Sequence, residues 1–231
     1  MLAALEFLYH IIVNKEISNN VDLGMDDLLK TLAKKARKLS EHALRAKDKI
    51  MKYSSRIWRE DLTILIHGYS STIFSLLKNA REMGFKVNVF VTEARPLNEG
   101  EMMKEKLDAI HIPTSLILDA SVGSIMPKID YVFLGAEAVV ENGGIINKIG
   151  SLTIALCAKS HKKRVYVFTE SLKFIKKYPL NQKDISTLIP KMESHENLMA
   201  DYTPPEYITS LITDLGISPP SVVANELIQF F

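Results

Sequence analysis

The chain reads Tyr131-Val-Phe-Leu-Gly-Ala-Glu-Ala-Val-Val-Glu-Asn-Gly-Gly-Ile-Ile-Asn-Lys-Ile-Gly150 at the point that is most informative about its fold. The first four residues are apolar and predict a short buried strand. The next sixteen contain two carboxylates, two amides, one ammonium group and four glycines. A packed core does not accommodate this mixture, whereas a loop at the carboxyl end of a parallel strand does, because open α/β sheets bind ligands there.

Two features of this loop predict an anion site. Gly143 and Gly144 would let backbone amides approach an anion closely, since neither carries a Cβ. Asn147 and Lys148 begin the next helical pattern, so a bound phosphate would face a helix N-terminus. The alternative is a glycine-rich turn with polar decoration.

Short apolar runs alternate with helical patterns on both sides of this stretch. Strands are predicted at 63–66, 86–91, 114–118, 131–134 and 165–168, and helices at 71–81, 100–107 and 151–159. Such alternation predicts a Rossmann-like α/β fold, with a parallel sheet and helices on both of its faces. We therefore divide the chain into a helical N-terminal region over residues 1–60 and an α/β domain over residues 61–231.

The N-terminal region is dominated by a basic helical pattern over residues 26–58, forming one long helix or two in series. Apolar residues recur every three or four positions from Leu29 to Ile57, and the alanines among them favour close packing on the α/β domain or on another subunit. Residues 30–59 hold eleven Lys and Arg against two acids, although the whole chain carries only +2. This basic face could be solvated, could contact nucleic acid, or could contact an acidic or phosphorylated protein.

Composition excludes several classes of protein. Apolar residues form 47% and charged residues 24% of the chain, as in ordinary globular proteins. No run of 18 apolar residues predicts a membrane span, and the first residues lack the basic lead of a secretion signal, so we expect a cytoplasmic protein. The single cysteine, Cys157, excludes an internal disulfide and is expected to be a small buried residue. The six histidines are scattered, and we expect neither a metal nor a cofactor.

Polar clusters follow each of the five predicted strands and are expected to converge on one pocket, because the carboxyl ends of parallel strands meet at one edge of a sheet. Arg95 and Lys148 are the candidate anion-binding cations, which suit a phosphorylated sugar or a nucleotide monophosphate. The alternatives are a surface ion pair for Arg95 or Lys148 and helix N-caps for Ser70 and Ser71. The candidate pocket residues are His67, Tyr69, Ser70, Ser71, Arg95, Asp119, Glu137, Asn142, Gly143, Asn147 and Lys148.

Several motifs together resemble one known family. Besides the stretch quoted first, they are Ile64-Leu-Ile-His-Gly-Tyr-Ser-Ser71, Val91-Thr-Glu-Ala-Arg-Pro96, Leu118-Asp-Ala-Ser-Val-Gly123, Tyr178-Pro-Leu-Asn-Gln182, Asp201-Tyr-Thr-Pro-Pro-Glu-Tyr-Ile208 and Thr213-Asp-Leu-Gly216. From about residue 60 to 231 the chain resembles the family of the alpha subunit of eukaryotic translation initiation factor 2B. That family shares its fold with isomerases acting on ribose 1,5-bisphosphate and methylthioribose 1-phosphate. Its helical N-terminal domain looks shortened here.

The resemblance implies a regulatory, non-catalytic subunit of the guanine nucleotide exchange factor for translation initiation factor 2. It implies a homodimer, which bridges two halves of a larger assembly and contacts its other subunits. It also implies that the assembly senses phosphorylated initiation factor 2. The basic residues expected to contact that factor are Lys34, Lys35, Arg37 and Lys38.

The same resemblance supplies the argument about catalysis. The isomerase relatives use a cysteine after the first of these strands and an aspartate after the fourth, and these positions hold Gly68 and Glu137 here. A glycine has no proton to move, and a glutamate side chain is about one methylene longer, which misplaces a general base. The alternative functions are a working sugar-phosphate isomerase and a ligand-sensing subunit that keeps the pocket.

The tail is expected to form the subunit interface. Tyr207-Ile-Thr-Ser-Leu-Ile212, together with Ile217 and Leu227, is more apolar than a surface extension needs to be. The stretch from Pro190 to Met199 is expected to form a surface loop, and residues 221–230 a final short helix.

Overall fold

A computed structural model describes residues 25–185 and 199–230. Nearly all of the surface loop expected at 190–199, and the first 24 residues, lie outside the described residues. In the described part, helices cover α1 (Met25–Ser54), α2 (Ser71–Glu82), α3 (Glu99–Ala109), α4 (Val122–Ile125), α5 (Ser151–Ser160) and α6 (Val223–Phe230). None of the described helices is both long and apolar enough to cross a membrane.

The centre of the molecule is a seven-stranded sheet, counted over the described residues. Its strands are β1 (Leu62–His67), β2 (Val87–Thr92), β3 (Thr114–Ile117), β4 (Tyr131–Leu134), β7 (Arg164–Phe168), β9 (Ser210–Thr213) and β10 (Gly216–Ser218). They lie in the order β10-β9-β7-β4-β1-β2-β3, and every pair is parallel except β9 with β10. The five predicted strands and three predicted helices are therefore confirmed to within two residues at each end.

Two apolar clusters cover the opposite faces of this sheet. Alternate residues of a strand point to opposite faces. Accordingly, Ile64 and Ile66 of β1 join the cluster that holds the buried side of α2 and α3, whereas Leu65 joins the cluster under α4 and α5. Strands buried on both faces read as continuous apolar runs, which explains why the sequence predicts them well.

The segment between β4 and α5 differs from the sequence-based expectation. It forms a second sheet from the hairpin strands β5 (Ala138–Val139) and β6 (Ile145–Lys148), with β8 (Ala200–Thr203) paired antiparallel to β6. Asn147 and Lys148 therefore lie on a strand, and the prediction that they begin a helix is wrong. The cause is the apolar pair Ile145 and Ile146, which are buried on β6 and favour strand over helix.

The two glycines of this hairpin serve close packing against the chain itself. A Cβ on Gly143 would lie 2.0 Å from the carbonyl oxygen of Pro220, and a Cβ on Gly144 would lie 2.5 Å from the ring of Tyr202. Gly143 also has a φ of +84°, which favours glycine. The N–H of Gly143 donates to the carbonyl of Val140, and the N–H of Gly144 donates to the side-chain oxygen of Asn142. Both amides are therefore engaged within the hairpin, and the prediction that Gly143 and Gly144 cradle an anion is wrong.

Strand β8 also holds the start of helix α5. One oxygen of the Asp201 carboxyl group accepts hydrogen bonds from the backbone N–H groups of Gly150 at 2.7 Å and Leu152 at 3.0 Å. These are among the amides that a helix N-terminus leaves without an internal partner. Asp201 thus caps α5 from a different strand, at a position where Gly150 has no side chain to do so.

The apolar tail is largely part of the chain's own core. Leu211 and Ile212 lie on β9 and are fully buried, and Ile208 is 6% exposed. Their apolar character is explained by the sheet, so they do not indicate a surface interface. Ile217 on the edge strand β10 remains 42% exposed, and the side chain of Leu227 lies outside the described residues.

Helix α1 packs on the α/β domain. It is one continuous helix that ends at Ser54, and its later half contacts α2, β9 and β10. Ala46 and Ile50 from the predicted apolar stripe are buried in this contact, whereas Tyr53 is 37% exposed. For this half of the helix, the neighbour expected from the sequence is the α/β domain. Nothing is described for the side chains of Leu29, Leu32, Ala36, Leu39 and Ala43.

Candidate functional site

A polar cavity of about 270 Å³ opens at the carboxyl ends of β1 and β4. Chain order along the sheet reverses between these two strands, and such a reversal is where open α/β sheets bind ligands. The lining residues follow β1 and β4 or come from β6, α3 and the segment after β7. They are His67, Tyr69, Ser70, Ser71, Thr72, Glu99, Gly135, Ala136, Glu137, Asn147, Lys148 and Lys173.

The first wall of the cavity is the N-terminus of α2. Ser70 is the N-cap residue of α2, and its hydroxyl accepts a hydrogen bond from the N–H of Ile73 at 3.4 Å. A Cβ on Gly135 would lie 3.0 Å from the Ser70 hydroxyl, so the small residue after β4 leaves room for the cap. Ser70 therefore has the capping role that was weighed against ligand binding, and it also lines the cavity.

His67 lies at the end of β1 and connects the cavity lining to neighbouring elements through two hydrogen bonds. Its Nε2 lies 2.8 Å from the carbonyl oxygen of Ile149, which can only accept, so Nε2 carries the proton. Its Nδ1 then accepts from the hydroxyl of Thr92 at 2.6 Å. Burial lowers the pKa of His67, which keeps the imidazole neutral. With both ring nitrogens engaged, His67 holds β1, β2 and the turn before α5 together.

Lys148 supplies a cation to the cavity from strand β6. Its ammonium donates to the backbone carbonyl of Tyr69 at 2.5 Å and forms an ion pair with Glu99 at the start of α3. The side chain of Lys148 is 16% exposed. The sequence predicted the residue and its charge, but it predicted neither the strand that carries Lys148 nor its partner Glu99.

A second cation, Lys173, was not predicted from the sequence. Its ammonium donates to the carbonyl of Ala136 at 2.8 Å and lies 3.4 Å from the carboxylate of Glu170. Burial opposes ionisation of Glu170, but Lys173 and a hydrogen bond from the Thr72 hydroxyl outweigh it and lower the pKa of the carboxyl. The available signal was the polar cluster after β7, which lies only a few residues before Lys173.

Glu137 and Asn147 complete the lining. Burial of Glu137 disfavours its charge, yet neighbouring positive charges, Lys173 first among them, keep the pKa of its carboxyl below the ordinary value. Asn147 is buried and donates from its amide to the hydroxyl of Ser151 at 2.9 Å. Both residues reach the cavity, as the sequence predicted.

Two predicted pocket residues lie away from the cavity, on the loop after β2 and at the end of β3. The side chain of Arg95 is 62% exposed, and its Nε donates to the carboxylate of Glu93 at 2.7 Å. Asp119 accepts hydrogen bonds from the backbone N–H groups of Ala94 and Arg95. Because Glu93 lies within reach of its guanidinium group, Arg95 forms the surface ion pair that was the alternative to an anion clamp.

The hairpin residues Asn142 and Gly143 also lie outside the cavity lining. The side-chain oxygen of Asn142 accepts from the N–H of Gly144 at 2.9 Å, and its amide donates to the hydroxyl of Tyr202 at 2.7 Å. These bonds shape the β5–β6 turn. Of the eleven predicted pocket residues, the structure thus brings seven together around the cavity and places Arg95, Asp119, Asn142 and Gly143 elsewhere.

The backbone at Gly68 is incompatible with a larger residue. Its φ is +55°, and a Cβ at this position would lie 2.8 Å from the Cβ of Ala94. Real Cβ atoms do not approach each other so closely, and Ala94 is itself held at a positive φ. A thiol therefore could not be placed at position 68 without a shift of the loop after β2.

The predicted partner-binding residues lie on the early part of α1. Lys34, Arg37 and Lys38 are exposed, whereas the side chain of Lys35 lies outside the described residues. In the α/β domain, Cys157 on α5 is half-buried rather than fully buried as expected. Across the described ranges, no group of His, Cys, Asp or Glu is arranged to hold a metal ion.

The mostly parallel sheet with helices on both faces, the polar cavity at its strand ends and the long N-terminal helix docked beside it together define an open α/β fold. The model of the Initiation factor 2 subunit family matches residues 1–220, and the chain belongs to this family. It is 40% identical to the translation initiation factor eIF2B subunit alpha of Dictyostelium discoideum, over 90% of this chain and 71% of that protein. It is 37% identical to the subunit of the same name from Caenorhabditis elegans, over 85% of this chain and 67% of that protein.

More distant relatives are enzymes by name. A ribose 1,5-bisphosphate isomerase of Pyrococcus furiosus is 29% identical over 97% of this chain and 74% of that protein. Among solved structures, the Pyrococcus horikoshii translation initiation factor eIF-2B matches with a TM-score of 0.77 and 23% identity, over 94% of this chain and 76% of that one. A chain of the tetrameric eIF2B-beta2-delta2 complex from C. thermophilum matches with a TM-score of 0.82 and 18% identity, over 99% of this chain and 74% of that one. At these identities the structural matches confirm the fold class alone.

Proposed function

We propose that this chain is a regulatory, non-catalytic alpha-type subunit of the guanine nucleotide exchange factor for translation initiation factor 2. The observation that carries the proposal is the pair of alpha subunits at 40% and 37% identity, against 28–29% for the isomerase relatives. The site of action would be the cytoplasm, where translation takes place.

The geometry at Gly68 supports a non-catalytic role. Proton transfer beside a carbonyl needs an acid or base within hydrogen-bond reach, and position 68 offers neither a side chain nor room for one. Glu137 does reach the cavity, but it faces the ammonium of Lys173, which favours the charged carboxylate as a fixed counter-ion. The cavity would then serve to bind a phosphorylated sugar rather than to convert it.

The partners in this proposal are a second copy of the chain, the other subunits of the exchange factor and phosphorylated initiation factor 2. A phosphoserine adds close to two negative charges and three acceptor oxygens. Exposed Lys34, Arg37 and Lys38 on α1 could attract such a group through their field. Preferential binding of the phosphorylated factor in a nonproductive pose would then reduce nucleotide exchange.

A nucleotide exchange assay with the reconstituted assembly tests this role. With this chain present, phosphorylated initiation factor 2 should inhibit exchange, and without it the inhibition should weaken while basal exchange remains. Equal inhibition with and without the chain would contradict the proposal.

Replacement of Lys34, Lys35, Arg37 and Lys38 by Ala should lower the preference for the phosphorylated factor. This preference should also shrink with added salt, because exposed charges are screened over about 10 Å at 0.1 M. An equal loss of affinity for both forms would reduce the helix to a nonspecific basic surface.

The second candidate function is a sugar-phosphate isomerase, which the two lysines in the cavity and the named isomerase relatives favour. Incubation with ribose 1,5-bisphosphate distinguishes the two functions. We expect no turnover. Turnover that Glu137→Gln abolishes would overturn the non-catalytic proposal and assign Glu137 as the base.

A further inference from the structure

Helix α1 places one more cation beside the cavity. The ammonium of Lys47 lies 3.0 Å from the hydroxyl oxygen of Ser71, which lines the cavity. The side chain of Lys47 is half-buried, whereas the neighbouring Lys49 on the same helix is exposed. Lys47 therefore points toward the α/β domain, and Lys49 points toward solvent.

The residues that line the cavity carry no net charge when Lys47 is left out. The lining holds two ammonium groups, those of Lys148 and Lys173, and two carboxylates, those of Glu99 and Glu137. His67 is neutral, and Glu170 behind the wall adds a further negative charge. A phosphate group carrying close to two negative charges would thus meet no net positive charge in the lining itself. Its binding needs another cation.

The protein itself stabilises the charge of Lys47 poorly. Ser71 is the first residue of α2, and the N-terminus of a helix of this length carries roughly half a positive charge. Among the described residues, no carboxylate pairs with Lys47, whereas Lys148 and Lys173 each have a glutamate partner. An anion at the mouth of the cavity would face the ammonium of Lys47 and the N-terminus of α2 together.

We propose that Lys47 binds a phosphate group of the ligand in this cavity and thereby ties helix α1 to the bound ligand. The inference rests on the proposed phosphorylated-sugar pocket and deepens it. Lys47 is a ligand-binding residue that comes from the N-terminal helix rather than from the α/β domain. The ligand then contacts both parts of the chain at once.

A second contact of helix α1 explains why a ligand bound to Lys47 would restrain a longer part of the helix. His42, one and a half turns before Lys47, lies 2.7 Å from the fully buried carboxylate of Asp214. Asp214 also accepts from the N–H and hydroxyl of Ser171, the residue after Glu170. Helix α1 is thus fixed at the tail end of the sheet by His42, and a ligand would fix it at the cavity by Lys47.

Calorimetric titration of the full chain with ribose 1,5-bisphosphate tests the proposal, with ribose and inorganic phosphate as reference probes. Lys47→Gln keeps a polar side chain, about one methylene shorter, and removes its charge, and we expect about a tenfold or larger rise in Kd, because a charge-assisted hydrogen bond is lost. Lys49→Gln is the matched control and should change Kd by less than about twofold, as exposed charges do. Lys47→Arg keeps the charge and should restore most of the affinity.

Hydrogen exchange of α1 gives the second readout. The ligand should slow exchange in the helix in the unaltered chain and in Lys49→Gln, but not in Lys47→Gln. Unchanged affinity and unchanged protection in Lys47→Gln, with binding lost in Lys148→Ala, would overturn the role of Lys47 and leave the pocket standing. Absence of binding to the unaltered chain at millimolar ligand would reject the phosphate pocket and the Lys47 inference together, while the regulatory role remains subject to the exchange assay.

Discussion

The carboxyl group of Asp201 gives the molecule a pH-dependent element of stability. It is 5% exposed, and burial raises its pKa to about 7 although two backbone amides donate to it. The folded chain therefore holds this proton up to about pH 7, whereas an unfolded aspartate releases it near pH 4. Because the folded state binds the proton more tightly, the free energy of unfolding falls as pH rises from about 4 to about 7 and then levels off.

Asp201→Asn should remove this dependence. The amide oxygen can still accept from Gly150 and Leu152, and the amide carries no charge to bury. Relative to the unaltered chain, we expect the free energy of unfolding of Asp201→Asn to be higher by roughly 2–4 kcal/mol at pH 8 and to differ little at pH 4. Urea denaturation at several pH values measures it. Asp108→Asn, on the exposed side of α3, is the control and should keep the original slope. Parallel pH profiles for Asp201→Asn and the unaltered chain would contradict the prediction.

Gly68 and Gly84 both have a positive φ, but alanine at the two positions should cost different amounts of stability. Gly68→Ala meets the Cβ of Ala94 at 2.8 Å, whereas Gly84→Ala at φ +90° has nothing within 4 Å. Each substitution carries a backbone cost of about 1 kcal/mol at a positive φ, and only Gly68→Ala adds a clash. We expect Gly68→Ala to lower the free energy of unfolding by roughly 1–3 kcal/mol more than Gly84→Ala. Equal losses would show that the loop after β2 yields freely and would weaken the argument against a cysteine at this position.

Local patterns predicted the elements that are defined by their own residues. Strands β1, β4 and β7 are largely apolar runs buried on both faces, and α2 begins at a good N-cap residue, Ser70. The strand β6 is different, because it pairs locally only with the two residues of β5, and its four-residue pairing is with β8, about fifty residues later. No local periodicity indicates so distant a partner, and the sequence alone therefore predicts a helix at Asn147 and Lys148.

The candidate site divides in the same way. Ser70, Ser71 and Lys148 were found because polar residues after a strand indicate a cavity edge. Lys173 and Glu99 were missed because their role depends on contacts with distant residues, the carbonyl of Ala136 and the ammonium of Lys148. The sequence wrongly predicts Arg95 as a pocket residue. It does not distinguish an arginine that pairs with a nearby carboxylate, here Glu93 two positions earlier, from an arginine that binds an anionic ligand.

Helix α1 should loosen when its contact with the tail is removed. His42→Ala leaves the carboxylate of Asp214 with only Ser171 as a partner, and the hydrogen bond from α1 is lost. We expect faster hydrogen exchange throughout α1 and unchanged exchange in β1 and β4, since the core beneath the helix is independent of this bond. Glu41→Ala, at an exposed neighbouring position, is the control. If His42→Ala leaves exchange in α1 unaltered, the contact does not hold the helix.

We predict that the chain forms a homodimer through the α/β domain. Strand β10 has an open edge in the described sheet and carries Ile217, which is 42% exposed, beside Leu215 at 38%. An apolar open edge favours association with a second copy. Sedimentation equilibrium at micromolar concentration should give about twice the chain mass of 26.0 kDa.

Charged substitutions locate the interface. Ile217→Asp should shift the chain toward the monomer, because a carboxylate would be buried without a partner. Leu44→Asp changes an apolar residue that is 75% exposed on α1 and should leave the mass unchanged. A monomer in the unaltered chain would remove the bridging role from the proposed function, whereas a dimer that survives Ile217→Asp would move the interface elsewhere.

The bond from the Lys148 ammonium to the Tyr69 carbonyl has a practical consequence for anyone who prepares this protein. It joins residues 79 positions apart, so the walls of the cavity meet only after the centre of the sheet has assembled. Neither half of the chain, expressed alone, would contain a cavity. A stoichiometric ligand titration would therefore count the correctly assembled molecules in a sample, and a ratio below one would measure the misassembled fraction rather than a weak affinity.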